Sequence, residues 1–226
     1  MVLDADVGVY VKPYYETELG KLYHGDCLEI MPMLEPVDLV LTDIPFNVKL
    51  KYESYKDNLT PEKYRESCRS WFGGFKNLAN IYIVKSPTKT MPVVLPVFDD
   101  VLVYLWTLIQ FSPNSTSNGP FNLNLFTQYL VGGKPYKRPN MDLFKNTHNK
   151  RYSEHPAEMP TGPINQILDW FTNENDLILD IFLGSGTTAV SCEKNGRRWI
   201  GIEIEEKYCE IAAKRIEKER SQLKLW

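Results

Sequence analysis

Four cysteines in 226 residues are few, and Cys27, Cys68, Cys192 and Cys209 contain no C-x-x-C pair. That scatter argues against a disulfide scaffold or a zinc cluster and fits free thiols in a reducing cytoplasmic compartment. Long hydrophobic runs are also missing. The longest, Val101 to Phe111, covers eleven residues, whereas a bilayer span needs about twenty. The first residues, Met1-Val2-Leu3-Asp4-Ala5-Asp6, carry early acids and no basic region, so no secretory signal is expected. Excess positive charge is absent: the net charge is −3, which excludes a uniformly basic coat for nucleic acid but leaves room for a local patch. There is no internal repeat and no low-complexity tract. With 43% apolar and 24% charged residues, the chain can bury a core, and its length suits one domain.

The charge is unevenly placed. Between Lys134 and Arg151 stand six cations (Lys134, Lys137, Arg138, Lys145, Lys150 and Arg151) against the single acid Asp142, so this segment carries +5 and the remainder −8. Tyr136, Phe144 and His148 are interleaved with the cations. Two readings stand: a solvated loop, or a strip that contacts phosphates and offers aromatics for stacking. The preceding Ser112 to Pro120 is dense in turn formers and reads as a long exposed loop.

Elsewhere strands and helices alternate. Val37 to Thr42, Ile81 to Val84, Leu177 to Asp180 and Trp199 to Ile204 read as buried strands, and Val101 to Gln110 contains another. Thr60 and Pro61 open a helix whose one face carries Tyr64, Cys68, Trp71, Phe72 and Phe75. Pro163 opens a second, with Ile164, Ile167, Leu168 and Phe171 inward. Thr187 to Lys194 forms a third after a glycine turn, and Glu206 to about Arg220 a last one with Tyr208, Ile211, Ala212 and Ile216 inward. This alternation predicts an α/β fold with a largely parallel sheet, in which ligands sit at the carboxyl ends of strands.

Two constellations fall at such ends. The first is Asp180-Ile181-Phe182-Leu183-Gly184-Ser185-Gly186-Thr187-Thr188. Its glycines permit a tight turn and close approach of a ligand, and the following helix offers free N–H groups. Nineteen residues after Gly184, at the end of the next strand, Glu203 can accept both hydroxyls of a ribose. Together these describe a nucleoside pocket. The second is Thr42-Asp43-Ile44-Pro45-Phe46-Asn47, an acid, a proline and an aromatic just after a buried strand. Taken alone it reads as a turn with a capping acid. Its place at a strand end makes it a candidate site.

The pair resembles the amino-methylating DNA methyltransferases that use S-adenosylmethionine. Asp180 to Thr188 is similar to their D-x-F-x-G-S-G-T-T cofactor loop, and Asp43 to Phe46 to their D/N/S-P-P-Y/F/W tetrapeptide, with Ile44 where that motif has its first proline. The order, tetrapeptide before cofactor loop, is that of the circularly permuted beta class. His24-Gly25-Asp26-Cys27-Leu28 looks like the G-D-x-L element of that class, and His155-Pro156-Ala157-Glu158-Met159-Pro160 like its H-P-x-x-x-P element.

The resemblance spans about Lys21 to Ile216. It implies a Rossmann-like methyltransferase fold, with a seven-stranded, mostly parallel sheet containing one reversed strand and helices on both faces. A single domain would divide into a catalytic half (about 21–110), a target-recognition insert (about 111–152) and a cofactor half (about 153–220).

The resemblance further implies roles. Asp43 and the Ile44 carbonyl would accept the two N–H bonds of an exocyclic amine, Pro45 would hold the backbone, and Phe46 would stack on an extruded base. Asp180 would face the amino end of the methionine moiety. Phe182, Gly184, Ser185, Gly186, Thr187 and Thr188 would line the cofactor, Glu203 would hold the ribose, and Asp26 and Cys27 would lie by the adenine. His155 is expected to make a structural hydrogen bond. Lys134, Lys137, Arg138, Lys145, Lys150 and Arg151 would contact DNA, and no metal is required.

The implied activity is methylation of adenine N6 in double-stranded DNA, with cytosine N4 as the alternative because both amines make the same demands. Such an enzyme would act as a monomer or homodimer, alone or beside a separately encoded restriction endonuclease. Two other classes share parts of this pattern. A nicotinamide oxidoreductase would use the Gly184 turn and Glu203, but only about forty residues follow that turn and Asp43 to Phe46 would have no purpose. A non-catalytic nucleic-acid-binding relic is suggested by Ile44.

Overall fold

The computed structural model describes residues 11–50, 52–86, 88–112, 126–137, 141–145 and 161–223. Its elements are β1 (Tyr15–Glu16), β2 (Gly20–His24), α1 (Cys27–Ile30), a short 3-10 turn (Met31–Met33), β3 (Leu39–Asp43), α2 (Pro61–Phe75), β4 (Ile81–Ser86), α3 (Met91–Leu102), β5 (Tyr104–Phe111), β6 (Phe126–Gly133), β7 (Leu143–Lys145), α4 (Thr161–Phe171), β8 (Leu177–Asp180), α5 (Thr187–Lys194), β9 (Arg198–Glu203) and α6 (Glu206–Leu223).

The strands form one sheet in the order β1-β2-β9-β8-β3-β4-β6-β5-β7. Strands β2, β9, β8, β3 and β4 run parallel. Strand β6 runs against both β4 and β5, which makes it the reversed strand of a Rossmann-like seven. The sheet has nine strands rather than seven, because β1 pairs antiparallel to β2 at one edge and β7 parallel to β5 at the other. These additions are two and three residues long, too short to leave an alternating pattern in sequence.

Side-chain alternation divides the core between the two faces. Val40, Tyr82 and Val84 pack with α1, α2 and α3, whereas Leu39, Leu41, Ile81 and Ile83 pack with α4, α5 and α6. Helix α2 starts as read: Thr60 accepts the Lys63 N–H as N-cap, Pro61 follows, and Tyr64, Cys68, Trp71, Phe72 and Phe75 are buried. On α6, Tyr208, Ala212 and Ile216 are buried while Ile211 is only partly so. The run Val101 to Gln110 is not all strand. Val101 and Leu102 close α3, Val103 turns the chain at φ +60°, and β5 begins at Tyr104.

Two features of this fold place the site. Strand β3 leads through α2 to β4 on one side, and β8 leads through α5 to β9 on the other, so strand order reverses between β3 and β8. That reversal opens a crevice above their carboxyl ends. Register then sets which residues stand there: Asp43 pairs with Lys85, Asp180 with Gly201 and Glu203 with His24. Among the described residues no helix is long and apolar enough to cross a membrane, and no group of three or more His, Cys, Asp and Glu could hold a metal.

Candidate active site at the strand reversal

A cavity of about 560 Å³ opens at this crevice, in the range of small-molecule sites. Asp43, Ile44, Pro45 and Phe46 line it together with Phe182, Gly184, Ser185, Thr187, Glu203, Asp26 and Cys27. The two constellations, well over a hundred residues apart along the chain, share one cleft.

They are also joined directly. The hydroxyl of Thr42, next to Asp43, donates to Asp180 Oδ1 at 2.8 Å. Asp180 further accepts from the Phe182 N–H at 3.1 Å and from the Thr188 hydroxyl at 2.6 Å. This carboxylate is 2% exposed and does not line the cavity. The structure thus places Asp180 and Thr188 behind the glycine loop, as the tie between β8, α5 and β3. Burial raises the Asp180 carboxyl to about 6, against the pull of those three donors and with a further push from the charge of Asp43.

The glycine turn is built by conformation and by one charge. Gly184 (φ +55°) and Gly186 (φ +86°) occupy the left-handed region. A Cβ on Gly186 would stand 2.9 Å from the Ala212 Cβ of α6, so only glycine lets α6 pack here. Arg215 of α6 donates to both the carbonyl and the hydroxyl of Ser185 at 2.6 Å, clamping the turn from outside. From β9, Glu203 accepts the Gly184 N–H at 2.7 Å through Oε2 and the Glu205 N–H at 2.8 Å through Oε1. Each oxygen keeps a second lone pair for a ligand hydroxyl. Burial raises this carboxyl to about 7; the two N–H donors oppose the shift, and the charges of Glu205 and Asp180 add to it.

Asp26 caps α1 by accepting the Leu28 N–H at 2.8 Å, which fixes Asp26, Cys27 and Leu28 at the cavity wall. Burial first, and then the charge of Asp26, push the Cys27 thiol up to about 12, so it is a neutral wall group.

The tetrapeptide is held without its usual first proline. Ile44 is 1% exposed and belongs to the core cluster under α2, so packing anchors the backbone that a proline ring would have restricted. The Tyr64 phenol donates to the Pro45 carbonyl at 2.7 Å. Burial moves the Asp43 carboxyl above its ordinary range, while the charge and hydrogen bond of Lys85 pull it back. Its Oδ2 lies 2.6 Å from Lys85 Nζ. Its Oδ1 is buried and has no hydrogen-bond partner among the described residues, and the residue itself lines the cavity.

Several cavity residues carry no signal in the motifs. The loop after Phe46 folds around Asp57, whose 2%-exposed carboxylate accepts the N–H groups of Asn47, Val48 and Leu50 at 2.7–2.9 Å. Asn47 bonds Leu59 in both directions and closes the loop. This frame turns Leu50, Tyr52 and Tyr55 into the cavity. The Ser54 N–H donates to Glu205 at 2.6 Å, and Lys207 pairs with Glu53, so the loop is latched to the β9–α6 junction. Trp71 of α2 meets Phe182 edge to face at 5.0 Å, a contact worth about 0.5–1.5 kcal/mol. The acid two residues after Glu203 and the aromatic pair Tyr52 and Tyr55 were the available hints.

The basic strip is not brought to the cleft as a unit. Gly133 pairs with Ile81, at the amino end of β4, so Lys134 stands at the edge of the sheet opposite the cavity. Lys137 donates to the Thr172 carbonyl at 2.9 Å and to that of Asp169 at 3.5 Å, at the carboxyl end of α4, where a cation is favoured. Lys145 ends β7 opposite Phe111, at the cavity end of β5. Arg138, Lys150, Arg151 and the His155 to Pro160 element lie outside the described residues. Residues 126–133, inside the window expected for target recognition, are the reversed strand β6.

Comparison with known proteins agrees with this geometry. The model of the N6/N4 DNA methylase family matches residues 105–214. The chain is 27% identical to the Type II methyltransferase M.ScaI of Streptomyces caespitosus, over 94% of this chain and 86% of that one. The fold is shared with the solved cytosine-N4-specific PvuII DNA methyltransferase (TM-score 0.77, 21% identity, 93% of both chains). It is shared too with M1.HpyAVI, solved as a SAM complex (TM-score 0.69, 21% identity, 87% of this chain and 98% of that one). With its tetrapeptide and glycine loop converging on one crevice, the chain is similar to the N6/N4 DNA methylases over residues 105–214 and shares the fold of solved DNA methyltransferases.

Proposed function

We propose that the protein transfers a methyl group from S-adenosylmethionine to the N6 amine of adenine in DNA, on a base turned out of the duplex into the cleft. The observation that carries this reading is that Asp43, whose buried Oδ1 has no partner among the described residues, lines the same cavity as the glycine loop and Glu203. The residues fit the cofactor: a side-chain-free turn at Gly184, a carboxylate with spare lone pairs at Glu203, and aromatic walls at Phe182 and Trp71. When bound, S-adenosylmethionine supplies an electrophilic methyl on a sulfonium.

An exocyclic amine is a poor nucleophile because its lone pair is delocalised into the ring. Asp43 Oδ1 and the Ile44 carbonyl accept its two N–H bonds, orient it and favour a pyramidal nitrogen. The carboxylate charge offsets the positive charge that grows on nitrogen as the new bond forms, and one amine proton is then lost to water. Phe46 offers the ring on which the base stacks. Phosphate contact is proposed for Lys145, at the cavity end of the sheet, rather than for Lys134 and Lys137 at the opposite end. The kinship with a Type II methyltransferase favours a separately encoded endonuclease as partner, and the protein acts as a monomer or homodimer.

Cytosine N4 is the second reading. Its amine presents the same two N–H bonds, and the PvuII neighbour is cytosine-N4-specific; the leading Asp43 favours adenine. The experiment is methyl transfer from labelled S-adenosylmethionine to unmodified DNA, followed by nucleoside digestion and separation. N6-methyladenine is expected, N4-methylcytosine would move the reading to the alternative, and no transfer to any DNA would refute it.

Two further results are expected. Phe46→Ala should lose about tenfold or more in turnover on duplex DNA, since base stacking is worth about 1–3 kcal/mol, with cofactor affinity within about twofold. Equal losses in both would contradict a stacking role. Cofactor affinity should also depend on pH. Glu203, raised to about 7, is a better acceptor for ribose hydroxyls when ionised, so affinity should weaken as pH falls through that value. Calorimetric titrations between about pH 8 and about pH 6 should show a decline approaching tenfold per proton taken up, flattened in Glu203→Gln.

A further inference from the structure

The carboxylate of Asp43 has its two oxygens in different situations. Oδ2 is held by Lys85, 2.6 Å away and the cross-strand register partner of Asp43 on β4. Oδ1 has no partner among the described residues. Both side chains are largely withdrawn from water, at 13% exposed for Lys85 and 15% for Asp43. The same ammonium lies 5.2 Å from the ring centroid of Phe46. We propose that Lys85 is a positioning residue for methyl transfer: by holding Oδ2 it keeps Asp43 ionised and leaves Oδ1 as the acceptor for the target amine. The inference rests on the function proposed above and concerns the same site.

The physical case is electrostatic. A carboxylate this deep has lost most of its hydration, and without a neighbouring cation it takes up a proton. A neutral carboxyl no longer offsets the positive charge that develops on the attacking nitrogen. The groups that face Asp43 are Lys85 on β4, Asp180 on β8, Tyr129 on β6 and Tyr52 in the loop after β3. Asp180 shares with Asp43 a repulsion that disfavours two charges. The phenols of Tyr129 and Tyr52 are pushed upward, by burial first and by the charge of Asp43 in addition, so both are neutral. Lys85 is the cation in this set. Its ammonium lies between the Asp43 carboxylate and the face of the Phe46 ring.

The test compares Lys85→Met, which keeps the stem, with Lys85→Arg, which keeps the charge. Single-turnover methyl transfer at saturating cofactor is followed as a function of pH. Lys85→Met should lose about tenfold or more at about pH 6.5, with the gap closing toward about pH 9, while Lys85→Arg stays within about threefold of the parent. Cofactor affinity should be unchanged within about threefold in both. A loss independent of pH, or a Lys85→Met profile that overlays the parent, overturns the proposal. A second readout needs no activity: the ¹³C carboxyl signal of Asp43, assigned by its disappearance in Asp43→Asn, should titrate at higher pH in Lys85→Met. An unmoved titration with methyl transfer intact would remove Lys85 and leave the function standing. Absence of methyl transfer in the parent would remove the function, and the titration would still decide whether Lys85 holds the charge.

Discussion

Asp43→Ala is expected to lower methyl transfer by about a thousandfold or more while cofactor affinity stays within about threefold of the parent. The size follows from the work assigned to this one side chain. It accepts an N–H bond that orients the amine, and it carries the negative charge closest to the nitrogen that becomes cationic. Neither task has a substitute nearby: the carboxylate of Asp180 is occupied by Thr42, Phe182 and Thr188, and that of Asp57 by three backbone N–H groups. The substitution also leaves Lys85 without its partner in a largely buried place, a situation that costs about 3–5 kcal/mol. A melting curve should accompany the assay, so that lost chemistry is separated from lost fold. Labelled-methyl transfer and calorimetric cofactor binding measure the two halves, and turnover within about tenfold of the parent would refute the assigned role.

Glu203→Ala is expected to do the reverse, weakening cofactor binding by about a hundredfold or more while turnover at saturating cofactor falls far less. Hydrogen bonds to a charged group contribute about 1.5–3 kcal/mol each, and this carboxylate offers one from each oxygen to the ribose diol. Its removal also frees the N–H groups of Gly184 and Glu205, so the turn loses the charge that organises it. Without its ligand the protein bears a cost for burying this group. The folded carboxyl titrates at about 7, above its unfolded value of 4.5, so the folded form binds the extra proton between those limits. Stability from this group is therefore greatest below the unfolded value and declines as pH rises toward about 7. An affinity within threefold of the parent would show that the ribose is held elsewhere.

What was legible in sequence follows physical type. Motifs whose function depends on backbone conformation were visible, because few residues satisfy it: the glycines at Gly184 and Gly186, the Thr60–Pro61 helix start, the apolar face of α2. Elements whose pattern is ambiguous were not. Helix α3 is rich in valine and contains Pro92 and Pro96, so its composition does not mark it as a helix, and its last two apolar residues merged with β5. Strand β6 sits within the window ascribed to target recognition, and only its pairing with β4 and β5 shows that it belongs to the sheet. For the cations, clustering in sequence did not survive folding: Lys134 and Lys137 stand at the end of the sheet away from the cavity, while Lys145 ends β7 at the other.

The sequence by itself determined the alternation of strands and helices and the two segments proposed to carry the chemistry, because each is a local requirement on a few consecutive residues. Only the tertiary structure decided that those segments meet, and how. The reversal of strand order between β3 and β8 sets them on one crevice, and the Thr42–Asp180 bond ties them there. Pairing of β3 with β4 brings Lys85 to Asp43 across 42 residues of chain. Register and burial are properties of the packed sheet, and no stretch of the chain contains them alone.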